Sequence, residues 1–206
     1  MKNIIISATK YWKDPFFILE FIKASSFFAF ALIINYYAVR FATFSAGPAV
    51  PDHFLSNIPR VNTYYIDYYF ALYLQYFIFI FVILHPKYSI FFIKAFSMLV
   101  LTRSFFVNLT NLGVPVGTVQ VQSFFTTGGD LFFSGHTALP CMAMFVFWNM
   151  KPARYLFLFL AICMGVEVLL GHYHYSIDVF AAPFIAYGVF TLAKFFFKID
   201  HDRMVE

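Results

Sequence analysis

Long apolar stretches separated by short polar turns run through most of this 206-residue chain. A helix needs about 20 apolar residues to cross the hydrocarbon core of a bilayer, and roughly six stretches approach that length. The alternation of apolar and polar residues that a membrane β-barrel requires is absent from the sequence. The pattern predicts an all-α membrane protein, a bundle of six transmembrane helices at Phe16–Tyr37, Tyr64–Leu84, Tyr88–Val107, Phe132–Met150, Tyr155–Leu170 and Ile177–Phe197.

The composition of the chain excludes an ordinary soluble domain. Hydrophobic residues make up 62% of the sequence and charged residues 12%, about half the charged fraction of an average soluble protein. The net charge of +4 does not indicate nucleic-acid binding, because the basic residues lie at the ends of apolar stretches and form no cluster. We therefore expect residues 1–206 to form a single transmembrane domain without a nucleic-acid partner.

Lysine and arginine are distributed unevenly between the two sets of predicted loops. The loops after the first, third and fifth spans offer only Arg60, and Arg40 at a span end. By the positive-inside rule, we expect these loops to face away from the cytoplasm and both chain termini to be cytoplasmic. The opposite loops and the termini contain Lys2, Lys10, Lys13, Lys87, Lys151, Arg154, Lys198 and Arg203.

Ionisable residues collect at the non-cytoplasmic ends of the predicted spans. Arg103 lies toward that end of the third span, and His136 lies near the start of the fourth. His174 and Asp178 fall at the junction between the fifth and sixth spans. Charged side chains inside a membrane are costly, so they are candidates for function. Because all four residues lie toward the same face of the membrane, we expect them to form one site.

The segment before His136 has the chemistry of a phosphate site. Ser134 and Gly135 stand where a loop runs into an apolar stretch. A helix that begins there directs unpaired N–H groups and the positive end of its dipole at a ligand. Serine adds a hydroxyl donor, glycine lets the backbone approach a phosphate, and His136 can transfer a proton near neutral pH. Arg103 can bind the same phosphate through two N–H donors, or alternatively reach lipid phosphates at the membrane surface.

His174 and Asp178 form the second half of the predicted site. They are four residues apart, which on a helix places both side chains on one face. An aspartate in that position holds the imidazole in one tautomer and stabilises its cationic form. A purely structural pair has the same spacing, so the assignment depends on the companion segment at His136.

Two further carboxyl groups have several possible roles. Asp130 can cap the helix of the fourth span or orient His136. Glu167, within the fifth span, can relay protons, pair with Arg103, or remain a neutral buried carboxyl. The sequence leaves these alternatives open.

A metal site is the main alternative chemistry for the histidines. On a helix, His172 and His174 are two residues apart and would point in different directions. A metal site would also give the serine and glycine before His136 no role. We therefore expect neither a metal nor another cofactor, although potential ligands exist in His136, His172, His174 and Asp178.

The two segments resemble motifs of the sphingomyelin synthase family, which is related to the type 2 phosphatidic acid phosphatases. One segment is Gly129–Thr137 (GDLFFSGHT), and the other is His172–Val179 (HYHYSIDV). Weaker similarities are Pro51-Asp52 and the region after Arg103, so the resemblance reaches from about Pro51 to Asp178. It implies a six-helix bundle with the catalytic triad His136, His174 and Asp178.

Two departures separate the chain from the phosphatase branch of this resemblance. The phosphatases have a proline in their first motif where Ser104 follows Arg103 here. They also carry an arginine six residues before the nucleophilic histidine, where this chain has Val168. Both differences favour the synthase branch, although the chain lacks the N-terminal regulatory regions of animal synthases.

The residues and the resemblance together predict a two-step displacement at phosphorus. His174 attacks the head-group phosphate of a phospholipid donor, and His136 protonates the departing lipid alkoxide. A membrane-embedded lipid alcohol such as ceramide then accepts the phosphocholine or phosphoethanolamine group. A lipid phosphatase that uses water is the first alternative, and a non-catalytic lipid-binding or transport protein is the second. The sequence specifies neither the exact lipids nor the oligomeric state.

Overall fold

A computed structural model describes residues 9–116 and 131–206 of the chain. Seven α-helices and one short 3₁₀ helix at Leu55–Asn57 lie wholly within these residues, and no described residue is in a strand, which confirms the all-α prediction. We number the helices α1 (Pro15–Phe44), α2 (Tyr64–Leu84), α3 (Pro86–Val107), α4 (Gly135–Val146), α5 (Lys151–Leu170), α6 (Ser176–Phe196) and α7 (Lys198–Val205).

Local sequence signals explain where several of these helices begin. Asp14 precedes α1, and its carboxylate accepts a hydrogen bond of 3.0 Å from the N–H of Phe16. A proline occupies the first turn of α1, α3 and α5, at Pro15, Pro86 and Pro152. Proline suits this position because its fixed φ is helical and its missing N–H would have no helical partner there.

Five helices of the described chain, α1, α2, α3, α5 and α6, are long and apolar enough to cross a membrane. They confirm five of the six predicted spans, and α2 has the predicted bounds. The fourth predicted span was too long: α4 has 12 residues, about 18 Å of helix against a hydrocarbon core of about 30 Å. It begins late because the extended Ser134 caps it, and it ends at a turn that starts with Phe147.

The short helix α4 forms the centre of the bundle. It packs against α5 and α6, and α1 lies along α3 on the outside. Residues Thr137 to Met144 are all buried, so α4 is enclosed by protein on most sides. Five phenylalanines of the core have no exposed surface, namely Phe91, Phe92, Phe133, Phe147 and Phe157.

A charged cluster holds α7 against the end of the bundle where α3 begins. The ammonium group of Lys94 lies 2.7 Å from the carboxylate of Asp200 and 3.4 Å from that of Glu20. Glu20 also pairs with Lys23 one helical turn away, at 2.8 Å. Because Lys94 is largely buried, these partners compensate its charge in an apolar environment.

The loop between α1 and α2 covers the opposite end of the bundle. Asp52 in this loop accepts hydrogen bonds from the N–H and the hydroxyl of Ser176, at 2.6 and 3.0 Å. The phenol of Tyr175 donates to the carbonyl of Gly113 at 2.7 Å and accepts from the N–H of Val50 at 3.0 Å. The loop is thereby fixed to the start of α6, next to the predicted site.

Candidate active site

The structure brings Arg103, His136, His174 and Asp178 together at the covered end of the bundle. Arg103 lies near the end of α3, four residues before Val107, and His136 lies in the first turn of α4. His174 is in the loop between α5 and α6, and Asp178 is in the first turn of α6. Three separate segments of the chain therefore contribute to one site.

His174 and Asp178 are in contact, but not through the helical spacing that the sequence suggested. His174 precedes α6 in an irregular loop, whereas Asp178 is the third residue of that helix. The loop turns back so that the imidazole Nδ1 lies 3.3 Å from Asp178 Oδ2. The same oxygen accepts a hydrogen bond from the N–H of Tyr175 at 3.2 Å. The helix start itself therefore orients the carboxylate.

Burial strengthens the interaction between this histidine and its aspartate. Asp178 has no exposed surface, and His174 is 5% exposed. A buried carboxylate facing Nδ1 favours the tautomer with the proton on Nδ1. The lone pair of Nε2 is then available for nucleophilic attack.

His136 faces His174 across a short space. The centroids of the two rings are 6.0 Å apart, and the ring planes are inclined by 64°. Nε2 of His136 lies 3.9 Å from Oδ1 of Asp67. Two imidazoles with different carboxylate neighbours therefore flank one position, as a nucleophile and an acid–base group would.

Asp67 is a site residue that the sequence analysis missed. It lies in the first turn of α2, is 6% exposed, and is the only charged residue of that helix. A lone acid inside a predicted membrane span was the available signal, because such residues are costly unless they serve a function. Glu167, whose role was open, lies beside Asp67 and Thr63 and is also buried.

Arg103 and the start of α4 form the predicted phosphate side of the site. The Nε–H of Arg103 donates to the carbonyl of Phe133 at 2.9 Å. Gly135 lies beside the guanidinium, since a Cβ placed on Gly135 would be 3.5 Å from Nε of Arg103. This contact holds the arginine at the N-terminus of a helix, where an anion is favoured.

Ser134 has a structural position in addition to its predicted role. Its hydroxyl oxygen lies 3.4 Å from the N–H of Thr137, which caps α4. Its own N–H donates to the carbonyl of Asp178 at 3.0 Å and so joins the starts of α4 and α6. Since that N–H is occupied, Gly135 is the better candidate for a backbone donor to phosphate. The phosphate contact of Ser134 stays a prediction.

The remaining predicted residues are only partly described. His172 is half-buried and has a left-handed backbone with φ of 56°. Asp130 lies outside the described residues. Among the residues that the structure describes, no group of three histidine, cysteine or acidic side chains is arranged to hold a metal ion.

Asp52 supports the site from the covering loop. Burial tends to raise the pKa of its carboxyl group, but hydrogen bonds from Leu55 and Ser176 outweigh burial and lower the pKa. The carboxylate is thus the favoured form, and it accepts from the first N–H of α6. This contact fixes the helix start that carries Asp178.

The fold and the site define a helical membrane protein suited to chemistry on a phosphate group. Residues 127–195 match the family model described as PAP2 superfamily C-terminal, and this segment contains His136, His174 and Asp178. The match supports a relation to PAP2-like phosphatases and phosphotransferases, and it does not separate the synthase branch from the phosphatases. No curated protein matches the chain.

Proposed function

We propose that the protein is a lipid phosphotransferase that moves a phosphorylated head group from a glycerophospholipid to a lipid alcohol. The observation that carries this proposal is the pair of facing imidazoles, 6.0 Å apart, of which one contacts Asp178 and the other lies near Asp67. One imidazole is arranged as a nucleophile and the other as a proton donor. Phosphatidylcholine or phosphatidylethanolamine as donor and ceramide as acceptor follow from the family resemblance.

In the first step, Nε2 of His174 attacks the phosphorus atom and forms an N–P bond. The P–O bond to the diacylglycerol oxygen breaks as protonated His136 gives its proton to that oxygen. Asp178 stabilises the positive charge that develops on His174. Asp67 stabilises the protonated form of His136 before the transfer, because an opposite charge nearby favours the cation.

In the second step, the hydroxyl oxygen of the acceptor attacks the phosphohistidine. The N–P bond breaks, its electron pair returns to Nε2 of His174, and neutral His136 takes the hydroxyl proton. Arg103 and the N-terminus of α4 stabilise the charge on the phosphoryl oxygens in both steps. With a lipid phosphate monoester as donor and water in place of the lipid alcohol, the same residues would act as a lipid phosphatase.

Product analysis tests this proposal and separates it from its alternatives. Detergent-purified protein is incubated with phospholipid labelled in the head group and with a panel of lipid alcohols. We expect the label on a new lipid, formed by the wild type and absent with His174→Ala. Labelled water-soluble phosphate ester or free phosphate alone would identify a hydrolase. If both this phospholipid and labelled phosphatidic acid stay unchanged and no phosphoprotein forms, both enzyme proposals are wrong and the lipid-binding or transport alternative is left.

A matched control for the nucleophile is available on the same chain. His201 lies at the opposite end of the bundle in α7 and contacts Asp202 at 3.7 Å. His201→Ala therefore removes a histidine with a nearby carboxylate and leaves the site intact. Acid-labile phosphohistidine should form in the wild type and in His201→Ala, and it should be absent from His174→Ala.

A further inference from the structure

A cavity of about 280 Å³ extends from the site into the membrane-spanning part of the bundle. Arg103, Gly135 and His136 line the end of the cavity that adjoins the site, here called its upper end. This end faces the proposed phosphate position. Below them the wall consists mainly of apolar side chains from α1, α3 and α4. Two amides, Asn35 of α1 and Gln75 of α2, are the other polar groups of the wall.

Three phenylalanine rings close the lower end of this cavity. Phe28 of α1 lies 5.5 Å from Phe96 of α3 and 5.8 Å from Phe79 of α2, measured between ring centroids. Phe79 and Phe96 are 6.3 Å apart. The three rings, here called the phenylalanine floor, contact one another and all line the cavity.

The depth of the cavity follows from helix geometry. Phe96 belongs to the floor and lies seven residues before Arg103 in α3. The distance between these two positions along the helix axis is therefore about 10 Å. Asn35 marks the upper level on α1, because it accepts a hydrogen bond of 3.2 Å from Ser104. Phe28 lies seven residues before Asn35, again about 10 Å away. This depth is less than the hydrocarbon depth of one leaflet, which is about 15 Å.

Helices α1 and α2 border one side of the cavity. Both α1 and α2 pack against α3, but α1 and α2 are not an extensively packed pair among the described helices. They flank the cavity and contact each other through Phe28 and Phe79, so the side between them above this contact is the entry route that we consider for a lipid from the bilayer. A cationic upper end and apolar walls complement a phosphate attached to a hydrocarbon chain.

We propose that this cavity binds one hydrocarbon chain of the lipid substrate and that the phenylalanine floor limits the chain length accepted there. The inference rests on the proposed function, which places the substrate phosphate between Arg103 and the two site histidines. The volume is just below the range of about 300–1,000 Å³ for ligand pockets, which suits one chain and not two. Asn35 and Gln75 can donate amide hydrogens to an ester or amide group near the top of the chain.

A chain-length series tests the role of the floor. Rates are measured with single-chain phospholipids that share one head group and increase in chain length. Phe28→Ala opens the floor, so the ratio of long-chain to short-chain turnover should rise. We expect a rise of about 10-fold, which is the size of the rate difference that methylene groups produce in an apolar pocket. Phe27→Ala is the matched control, because Phe27 is equally half-buried on α1 but contacts Phe197 and not the cavity.

A binding measurement makes the result independent of turnover. A phospholipid with a photoreactive group at the chain end is cross-linked to the protein, and the labelled peptides are identified by mass spectrometry. Labelling near Phe28, Phe79 and Phe96, suppressed by an unlabelled lipid, supports the proposal even if turnover is absent. Labelling elsewhere, or equal chain-length profiles for the wild type and Phe28→Ala, overturns it.

The failure of this inference can be distinguished from failure of the proposed function. A water-soluble nitrophenyl phosphodiester has no lipid chain and reports only the histidine chemistry. If the wild type cleaves it and His174→Ala does not, the catalytic proposal stands whatever the chain-length series shows. If neither protein cleaves it while the floor is cross-linked, the cavity binds lipid and the catalytic proposal is wrong.

Discussion

Each of the two site histidines has its own acidic neighbour. His174 lies 3.3 Å from fully buried Asp178, whereas His136 lies 3.9 Å from Asp67 in another helix. The first contact orients the ring of His174 with its proton on Nδ1 and with Nε2 free, and the second places a carboxylate beside Nε2 of His136. These environments lead us to expect separate roles that substitution can resolve.

The first prediction separates the nucleophile from the acid. His174→Ala should abolish phosphohistidine formation, and His136→Ala should slow turnover of phospholipid by about 10²–10⁴-fold because a lipid alkoxide leaves poorly without a proton. A nitrophenyl phosphodiester has a good leaving group and needs little protonation. His136→Ala should therefore regain phosphohistidine formation on it, measured by acid-labile phosphorus, while His174→Ala stays inert. Recovery in His174→Ala instead would reverse the two roles.

The second prediction concerns Asp67 as a positioning residue. Asp67→Asn removes the charge that favours protonated His136, so phospholipid turnover should fall by about 10-fold or more. The activated diester should restore much of the rate, as for His136→Ala, and Asp67→Glu should recover part of the phospholipid activity. A purely structural role predicts equal losses on both substrates, which the ratio of the two rates would reveal.

The third prediction tests the approach of phosphate to Gly135. The nearest atom to an added Cβ is Nε of Arg103 at 3.5 Å, an ordinary contact, so Gly135→Ala should fold. Alanine also favours a helix over glycine by about 1 kcal/mol, so the melting temperature should not decrease. Activity should fall because the methyl group occupies the proposed phosphate position. Gly188→Ala is the control, since nothing lies within 4 Å of its added Cβ. Equal activity of the two variants would contradict the approach of phosphate to Gly135.

At the scale of single residues, the sequence predicted most of the site but not its geometry. His136, His174, Asp178 and Arg103 were predicted because ionisable side chains are costly inside a membrane. The segments around His136 and His174 supported the prediction, since they have the chemistry of a phosphate site. The contact of His174 with Asp178 depends on where α6 begins, and a spacing of four residues does not reveal that. Asp67 comes from a distant segment, so only the packing of α2 near α4 shows that it lies near His136.

At the scale of helices, the start of α6 is held by a residue from another segment. Asp52 accepts from the N–H and hydroxyl of Ser176, so a loop residue caps the helix that carries Asp178. The sequence could not indicate this cap, because the two residues are 124 positions apart. The length of α4 was also unpredictable from hydropathy, since the apolar stretch continues through the turn after Val146.

The fourth prediction is that Asp52→Ala destabilises the start of α6 in a pH-dependent way. Loss of a helix cap costs about 1 kcal/mol, so the thermal unfolding temperature should decrease at neutral pH. The pKa of Asp52 is lowered in the folded protein, so its contribution is present above the ordinary aspartate pKa and is lost as pH falls through the folded pKa. The difference from the wild type should shrink below about pH 4. The exposed Asp202 provides the control Asp202→Ala, and a difference independent of pH would refute the charge argument.

At the scale of the whole molecule, short α4 is enclosed and the five long helices surround or flank it. This arrangement places the N-terminus of α4, the positive end of its dipole, at the end where α3 finishes and α6 starts. Hydropathy predicted the number of apolar segments because a bilayer requires spans of similar length. It could not predict that one segment is a core helix, since burial in protein and burial in lipid select the same residues.

The last prediction concerns the side of the membrane on which the site lies. The basic residues favour a non-cytoplasmic site, opposite Lys151 and Lys198. In a background with Cys141→Ala and Cys163→Ala, a cysteine is introduced by Asn57→Cys in the covering loop or by Lys151→Cys at the start of α5. Both positions are exposed in the structure. An impermeant thiol reagent should label Asn57→Cys in intact cells and Lys151→Cys only after permeabilisation. The reverse result would place the histidines on the cytoplasmic face, where the donor and acceptor lipids would have to be drawn from the inner leaflet.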